Sequence, residues 1–201
     1  CNLAQAINKI NDLSALANNV PLSVVFSEQL VNTAGTAFIS DHTVRITANL
    51  PTILSAESTV RFVFDGVYGS NQKYILQDAS TGRNNLDYFF RIGTQKSTDE
   101  QQVLIRNFAF AGLKKAGAAA ITTDNPATAA TGSYPGFPTV QPLRNVDGSR
   151  LRTLHIRSNY FGTTDGETLN AQNEVFQGIR IFTTEEVTDP DIQISDNNFY
   201  N

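Results

Sequence analysis

A short phrase that occurs three times constrains the fold of this chain more than any other feature of its sequence. VLIRNFAF at 103–110, LHIRSNYF at 154–161 and IQISDNNF at 192–199 align without a gap. Apolar residues occupy the first, third and eighth positions of every copy. Repetition of this kind is typical of architectures in which one unit buries its apolar face only by stacking on the next unit. The phrase therefore predicts stacked, equivalent strands.

Further strand-like segments extend this pattern along most of the chain. They alternate apolar and polar residues, are rich in β-branched and aromatic residues, and are separated by Gly, Asn, Asp and Ser. They lie at 22–26, 43–47, 59–64, 73–76 and 87–92. A second phrase follows the first two copies, as GAAAITT at 117–123 and GIRIFTT at 178–184. The sequence thus predicts an all-β fold, a right-handed parallel β-helix similar to the solenoid of pectate lyases.

One amphipathic helix is predicted at the start of the chain. Residues 3–17 place apolar side chains at helical spacing, and Asn18, Asn19 and Pro21 follow them. We expect residues 1–20 to form an N-terminal helix that caps the solenoid and residues 21–201 to form its coils. We also expect the chain to be a segment of a longer protein.

A proline-rich segment interrupts the predicted coils. Residues 124–147 hold four of the seven prolines and show little periodicity, which predicts a long loop insertion at about 124–150. Loops of this length are uncommon unless they are functional, so this one is a candidate contact surface. Tyr134 and Phe137 are its apolar anchors, either for a partner or for the loop's own packing against the coils.

Composition argues against several classes of function. The formal net charge is -4 and the 15 Lys and Arg residues are dispersed, which disfavours nucleic-acid binding. No apolar run approaches the roughly 20 residues of a transmembrane helix. Cys1 is the single cysteine, so no internal disulfide forms. It is either the lipidated residue of a bacterial lipoprotein or a small buried residue at the start of a fragment.

The polar residues of the repeats have structural explanations. Asn159 and Asn197 follow the inward Ile of their copies, and we expect them to adopt left-handed backbone angles at the bend. His155 is predicted to face solvent and His42 to lie in a turn with Asp41. Neither histidine has a second ligand at metal spacing.

The charged residues suggest no defined site, so we predict no catalytic residue, no cofactor and no metal ion. Asp165 and Glu167 lie in a glycine turn whose polarity explains them. The acidic segment TTEEVTDPD matches no calcium loop, although its carboxylates suit Ca²⁺; its members are Glu185, Glu186, Asp189 and Asp191. Asp196 completes the acidic residues available to an enzyme. Basic residues available to a lyase are Arg150, Arg152, Arg157 and Arg180.

Several segments carry a resemblance to a known family. CNLAQAIN at 1–8 resembles the CSLREA-type start of bacterial surface proteins, with Ala4 and Gln5 in place of that family's Arg-Glu pair. VRITANLPTIL at 44–54, VRFVFDG at 60–66 and SNYFGTTDGETLNAQNEVFQGIRI at 158–181 resemble later segments of the same template. The resemblance implies a parallel β-helix from a large secreted or cell-surface protein, often adhesin-like.

These observations lead to one expected function and one alternative. We expect a structural or adhesive module of a secreted or cell-surface bacterial protein, which presents loops for protein or glycan contact. The alternative is a carbohydrate-active β-helix enzyme or a tailspike-like depolymerase, because the fold alone does not determine function. The last copy of the phrase, at 192–201, has no following copy to stack on it. We therefore expect another protein chain, or a further domain of the same chain, to stack there.

Overall fold

The computed structural model describes residues 2–14, 22–25, 42–55, 61–68, 72–80, 85–94, 101–123, 151–168, 170–181 and 191–200. Within these ranges the chain forms one helix, α1 (Leu3–Ser14), and fifteen strands. The first strands are β1 (Leu22–Val25), β2 (Thr43–Ile46), β3 (Ile53–Ser55), β4 (Arg61–Asp65), β5 (Val67–Tyr68), β6 (Gln72–Asp78) and β7 (Tyr88–Thr94). The others are β8 (Gln101–Arg106), β9 (Phe108–Ala111), β10 (Ala119–Thr123), β11 (Leu151–Arg157), β12 (Tyr160–Phe161), β13 (Ile179–Arg180), β14 (Asp191–Ser195) and β15 (Asn198–Phe199).

The strands belong to three sheets. The first has the order β1-β4-β8-β11-β14, the second β13-β10-β7-β3, and the third β15-β12-β9-β6-β2. Strand β5 joins the third sheet through an antiparallel pair with β6, and the other pairs among the described strands are parallel. The strand segments predicted at 22–26, 43–47, 59–64, 73–76 and 87–92 thus overlap β1, β2, β4, β6 and β7, with bounds that differ by one or two residues.

The predicted fold class is wrong. The sequence predicted an all-β chain with a single right-handed β-helical solenoid. The described residues instead form three separate, mostly parallel sheets and one helix, which is an α/β-like arrangement. The physical reason is that a period of two residues fixes which side chains share a face of a strand, but not how the strands are distributed among sheets. The predicted loop insertion at 124–150 lies outside the described residues.

The alignment of the three copies of the phrase is confirmed residue by residue. Leu154 pairs with Val103 on one side and Ile192 on the other, and Ile156 pairs with Ile105 and Ile194. The eighth positions also pair, because Phe161 lies between Phe110 and Phe199. Equivalent residues therefore form straight rows across β8, β11 and β14 and across β9, β12 and β15.

The two copies of the second phrase pair in a register that differs from their sequence alignment. Gly117 aligns with Gly178 in the sequence, whereas in the structure Ile121 pairs with Ile179 and Thr122 with Arg180. The alanines at 118–120 are all buried, and their small side chains fit several registers equally well. The apolar Ile121 therefore sets the register here, and the glycines do not.

Aromatic side chains fill the core between the sheets. Phe89, Phe110 and Phe161 are fully buried, and their rings stack at centroid distances of 5.8 and 5.0 Å. Aromatic pairs of this kind contribute about 0.5–1.5 kcal/mol beyond the area they bury. The rows of the repeat are thus held together by ring stacking as well as by backbone hydrogen bonds.

Helix α1 covers the core beside β1 and β3, which are end strands of the first and second sheets. Asn2 Oδ1 accepts a hydrogen bond from the Gln5 N–H at 2.9 Å, and Gln5 Oε1 accepts one from the Asn2 N–H at 3.0 Å, which is a capping box. Leu3, Ile7 and Ile10 are buried in the main core, as the helical spacing predicts. The helix contacts β1 and β3, the first strands of two sheets. Residues 15–20 of the predicted cap lie outside the described residues.

The left-handed residues of the repeat lie one position before the asparagines that we predicted. Asn107, Ser158 and Asp196 have φ angles of 61°, 55° and 56° and occupy the fifth position of their copies. Asn159 and Asn197 occupy the sixth position, so the prediction that they adopt the left-handed conformation is wrong. The bend comes one residue earlier than predicted because the side chain of the sixth residue points into the stack, where it contacts the neighbouring strands.

Candidate functional site

The exposed end of the repeat stack is the candidate functional site. Strands β14 and β15, which we call the open edge, are the end strands of their sheets. Ile194 and Phe199 are 48% and 56% exposed there, whereas their counterparts Ile156 and Phe161 are fully buried. The open edge therefore presents apolar side chains that every earlier copy of the phrase buries.

An asparagine amide connects each copy of the phrase to the copy before it. Asn159 is fully buried; its Oδ1 accepts a hydrogen bond from the Phe108 N–H at 3.0 Å, and its Nδ2 donates to the Ile105 carbonyl at 3.2 Å. Asn197 repeats this arrangement one strand later. Its Oδ1 accepts from the Asn159 N–H at 2.9 Å and its Nδ2 donates to the Ile156 carbonyl at 2.8 Å.

The aromatic row continues to the open edge, and its rings become more nearly parallel along the row. The rings of Phe161 and Phe199 lie 4.8 Å apart and are inclined by only 6°. One face of the Phe199 ring is therefore covered by Phe161, while more than half of the residue is exposed. The exposed face of the Phe199 ring is parallel to the stack, so a further ring can stack on it.

A polar network lies on the outer face of the first sheet, beside the open edge. His155 Nε2 lies 2.7 Å from Asp191 Oδ2, and Gln193 Nε2 donates to Asp191 Oδ1 at 2.9 Å. These two hydrogen bonds, the one from Gln193 first, lower the pKa of the Asp191 carboxyl. Arg157 donates to Gln193 Oε1. The side chain of His155 is only 12% exposed, so the prediction that it faces solvent is wrong: its pairing with Asp191 covers it.

Arg180, another of the predicted basic residues, is not part of this network. Arg180 lies on the second sheet, where it donates to the Gly117 carbonyl at 2.6 Å and to Thr122 Oγ1 at 3.3 Å. Burial lowers the pKa of its guanidinium. Arg152 lies in β11, and Arg150 lies outside the described residues. The ring of His42 stacks on Tyr68 at 4.7 Å.

The acidic residues serve local structure where they are described. Asp165 Oδ1 accepts hydrogen bonds from the backbone N–H groups of Glu167 and Thr168 and from the Thr163 hydroxyl, at 2.8–2.9 Å. Asp196 is the left-handed residue of the last copy. Glu185, Glu186 and Asp189 lie outside the described residues, as do Cys1, Tyr134 and Phe137. Within the described part of the chain, no three His, Cys, Asp or Glu side chains are grouped as metal ligands.

The turn around Asp165 should give the protein a measurable acid sensitivity. Hydrogen bonds from Thr168, Glu167 and Thr163 hold the pKa of Asp165 well below its usual range. Because the folded-state pKa is depressed, the stabilisation is present above the unfolded-state pKa of about 3.9 and is lost as the pH falls through lower values. We expect Asp165→Asn to flatten the decline in melting temperature between about pH 5 and pH 2. Glu167→Gln, which removes an equal charge at an exposed neighbour, should leave the parent's decline unchanged; equal curves for all three proteins would contradict this account.

Comparisons with other proteins add no family assignment. No protein-family model, curated protein or solved structure matches the chain. Among the residues that the structure describes, no helix has both the length and the apolar character needed to cross a bilayer.

The repeat phrase had already indicated the position of the open edge, but not its polar groups. The sixth-position asparagines were assigned to the bend of their own copies. Their bonds to the preceding copy were missed because the direction of a side chain depends on the left-handed residue before it. The signal available in the sequence was the recurrence of Asn at the same position in two copies, Asn159 and Asn197.

Proposed function

We propose that this chain is a structural or adhesive module of a secreted or cell-surface bacterial protein, and that it binds a protein partner through the open edge. The observation that carries the proposal is the exposure of Ile194 and Phe199 at positions where the preceding copy of the phrase is fully buried. Exposed strand edges with apolar side chains are templates for pairing with another chain.

The energy available at such a contact supports an interaction function. Full burial of an exposed Ile or Phe side chain contributes about 1.5–3 kcal/mol. Strand addition supplies main-chain hydrogen bonds as well. The fully buried Phe110 and Phe161 beneath the open edge fix its geometry before a partner arrives. A pre-organised edge loses little conformational entropy on binding.

The cellular location in this proposal follows from the resemblance of residues 1–8 and 158–181 to bacterial surface proteins. The contacts of three described carboxylates are those of a scaffold. The carboxylate of Asp65 accepts hydrogen bonds from Arg106 and Asn107. The carboxylate of Asp87 accepts them from Lys115 and Asn49. Asp165 accepts hydrogen bonds within its own turn. Each of these carboxylates thus has a structural role.

An adhesion assay with a matched pair of variants tests the proposal. The chain is displayed on a non-adherent bacterium, and attachment to other cells is counted. We expect Ile194→Glu to abolish the attachment conferred by the parent, because it places a charge in the apolar contact. Val67→Glu is the control, since Val67 is 47% exposed but lies in β5, away from the open edge.

Two results would oppose the proposal. Attachment that is equally strong with Ile194→Glu would show that the open edge is not the contact. Release of reducing ends from polysaccharides by the purified parent chain would favour the carbohydrate-active alternative instead. Measurement of the melting temperatures of both variants ensures that only folded proteins are compared.

A further inference from the structure

A small cavity opens on the surface where the turn between β9 and β10 meets the segment between β12 and β13. Its volume is about 260 Å³, and the described residues that line it are Lys114, Glu174, Val175 and Phe176. We propose that this cavity binds one sugar ring of a glycan, which stacks on Phe176 and forms hydrogen bonds with Glu174 and Lys114. The proposal goes beyond the open edge, because these four residues lie outside β14 and β15.

Backbone hydrogen bonds hold the two walls of the cavity together. The Phe176 N–H donates to the Leu113 carbonyl at 2.7 Å, and the Gly112 N–H donates to the Asn173 carbonyl at 3.0 Å. Val175 is buried and belongs to the main core, so it anchors the wall that carries Phe176. The cavity is thus formed before a ligand arrives, and binding loses little conformational entropy of the chain.

Phe176 supplies the apolar surface of the cavity. The residue is 50% exposed, whereas Val175 next to it in the sequence is buried. The face of an aromatic ring is electron-rich and attracts partially positive hydrogen atoms. The C–H groups on the apolar face of a pyranose ring are hydrogen atoms of this kind. A sugar ring that stacks on Phe176 therefore gains this attraction and removes apolar surface from water.

Lys114 and Glu174 supply the polar groups of the cavity. Lys114 Nζ donates to the Ala171 carbonyl and lies 3.8 Å from Glu174 Oε2, which is too long for a hydrogen bond. Among the described residues, the Glu174 carboxylate therefore accepts no hydrogen bond, and its oxygens are open to the hydroxyl groups of a ligand. The ammonium of Lys114 has three hydrogens, so it can donate to a ligand oxygen as well as to Ala171.

The opposite charges of these two side chains favour a neutral ligand with several hydroxyl groups. An anion would be repelled by Glu174, and a cation would be repelled by Lys114. A purely apolar ligand would cover both charged groups without offering them hydrogen bonds, which costs free energy. Pockets for drug-sized ligands have volumes of about 300–1,000 Å³, so a cavity of about 260 Å³ suits a single sugar ring.

Saturation-transfer difference NMR on the 201-residue chain tests this inference. The probes are the methyl glycosides of glucose, galactose, mannose and N-acetylglucosamine, and free phenylalanine serves as a zwitterionic comparison. We expect saturation to reach one or more of the glycosides and not phenylalanine. Phe176→Ala should weaken the binding of that glycoside about tenfold or more, because the stacking surface is lost, whereas Phe176→Tyr should retain it.

Matched variants locate the site. Glu174→Ala should also weaken glycoside binding, whereas Glu167→Ala removes an exposed carboxylate from another turn and should leave binding unchanged. Val67→Ala is the control for Phe176→Ala, since Val67 is 47% exposed in β5. The melting temperature of each variant shows that folded proteins are compared.

Three results would overturn the inference. One is the absence of saturation in every glycoside, and another is equal glycoside binding by the parent and Phe176→Ala. The third is displacement of the glycoside by phenylalanine, which would assign the cavity to amino-acid or peptide ligands. Ile194→Glu should leave glycoside binding unchanged while it abolishes cell attachment. Failure of this inference would therefore leave the proposed function of the open edge intact.

Discussion

Replacement of Ile156 by Asp is expected to abolish the cooperative thermal unfolding of this protein. Ile156 is fully buried and lies between Ile105 and Ile194 in its row. Loss of the buried side chain costs about 2–5 kcal/mol, and burial of an unpaired carboxylate costs several kcal/mol more. The total is comparable to the stability of about 5–15 kcal/mol that is typical of a domain. Circular dichroism during heating measures the effect.

The same substitution at Ile194 is the matched control. Ile194 occupies the same position of the phrase and pairs directly with Ile156, but it is 48% exposed. A carboxylate there remains hydrated, so we expect a change in the free energy of unfolding within about 1 kcal/mol. A melting curve of the Ile156→Asp protein that matches the parent's would contradict the inward orientation of this row. Equal destabilisation by both substitutions would contradict the difference in burial.

The register of the repeats could be predicted from the sequence because their apolar positions are strongly marked. Ile105, Ile156 and Ile194 each lie between polar or less buried neighbours, so a slip by one residue would move an entire row to the wrong face. The alanines at 118–120 are apolar without interruption, so the aligned letters of the second phrase do not give the register in which its strands pair. Helix α1 was predicted correctly within its described residues, because its apolar side chains have helical spacing. The capping box begins the helix at the same place.

The distribution of strands among sheets could not be predicted in this way. Alternation specifies the two faces of a strand, whereas the left-handed residues Asn107, Ser158 and Asp196 redirect the chain between strands. Only one of these is an asparagine, and serine is a weak signal for a positive φ angle. The prediction of a single solenoid failed for this reason, and three separate sheets are found.

The candidate site was predictable in position and unpredictable in detail. The recurrence of the apolar positions in IQISDNNF indicated that Ile194 and Phe199 belong to the same rows as Ile156 and Phe161. The amide contacts were not evident, because they join residues about forty to fifty positions apart, as the bond from Asn159 to Ile105 does across 54 positions. The burial of His155 was missed for the same reason, since its partner Asp191 is 36 positions away.

The asparagine contacts lead to the second large expected effect. Substitution of Asn159 by Ala should lower the free energy of unfolding by on the order of 3 kcal/mol, because a buried carbonyl and a buried N–H each lose the amide that bonds them, at about 1–3 kcal/mol per group. These groups belong to Ile105 and Phe108. Chemical denaturation, with the midpoint and slope measured for both proteins, gives this difference.

Two further substitutions separate the hydrogen bonds of Asn159 from its volume. Asn159→Asp keeps the shape and the acceptor for the Phe108 N–H, but its carboxylate has no hydrogen to donate and places a negative charge against the Ile105 carbonyl. We therefore expect it to destabilise the fold more than Asn159→Ala does. Asn198→Ala removes an exposed asparagine from the adjoining strand and should change the stability by less than about 0.5 kcal/mol. If Asp at position 159 were tolerated as well as Asn, donation to the Ile105 carbonyl would not be the interaction that matters.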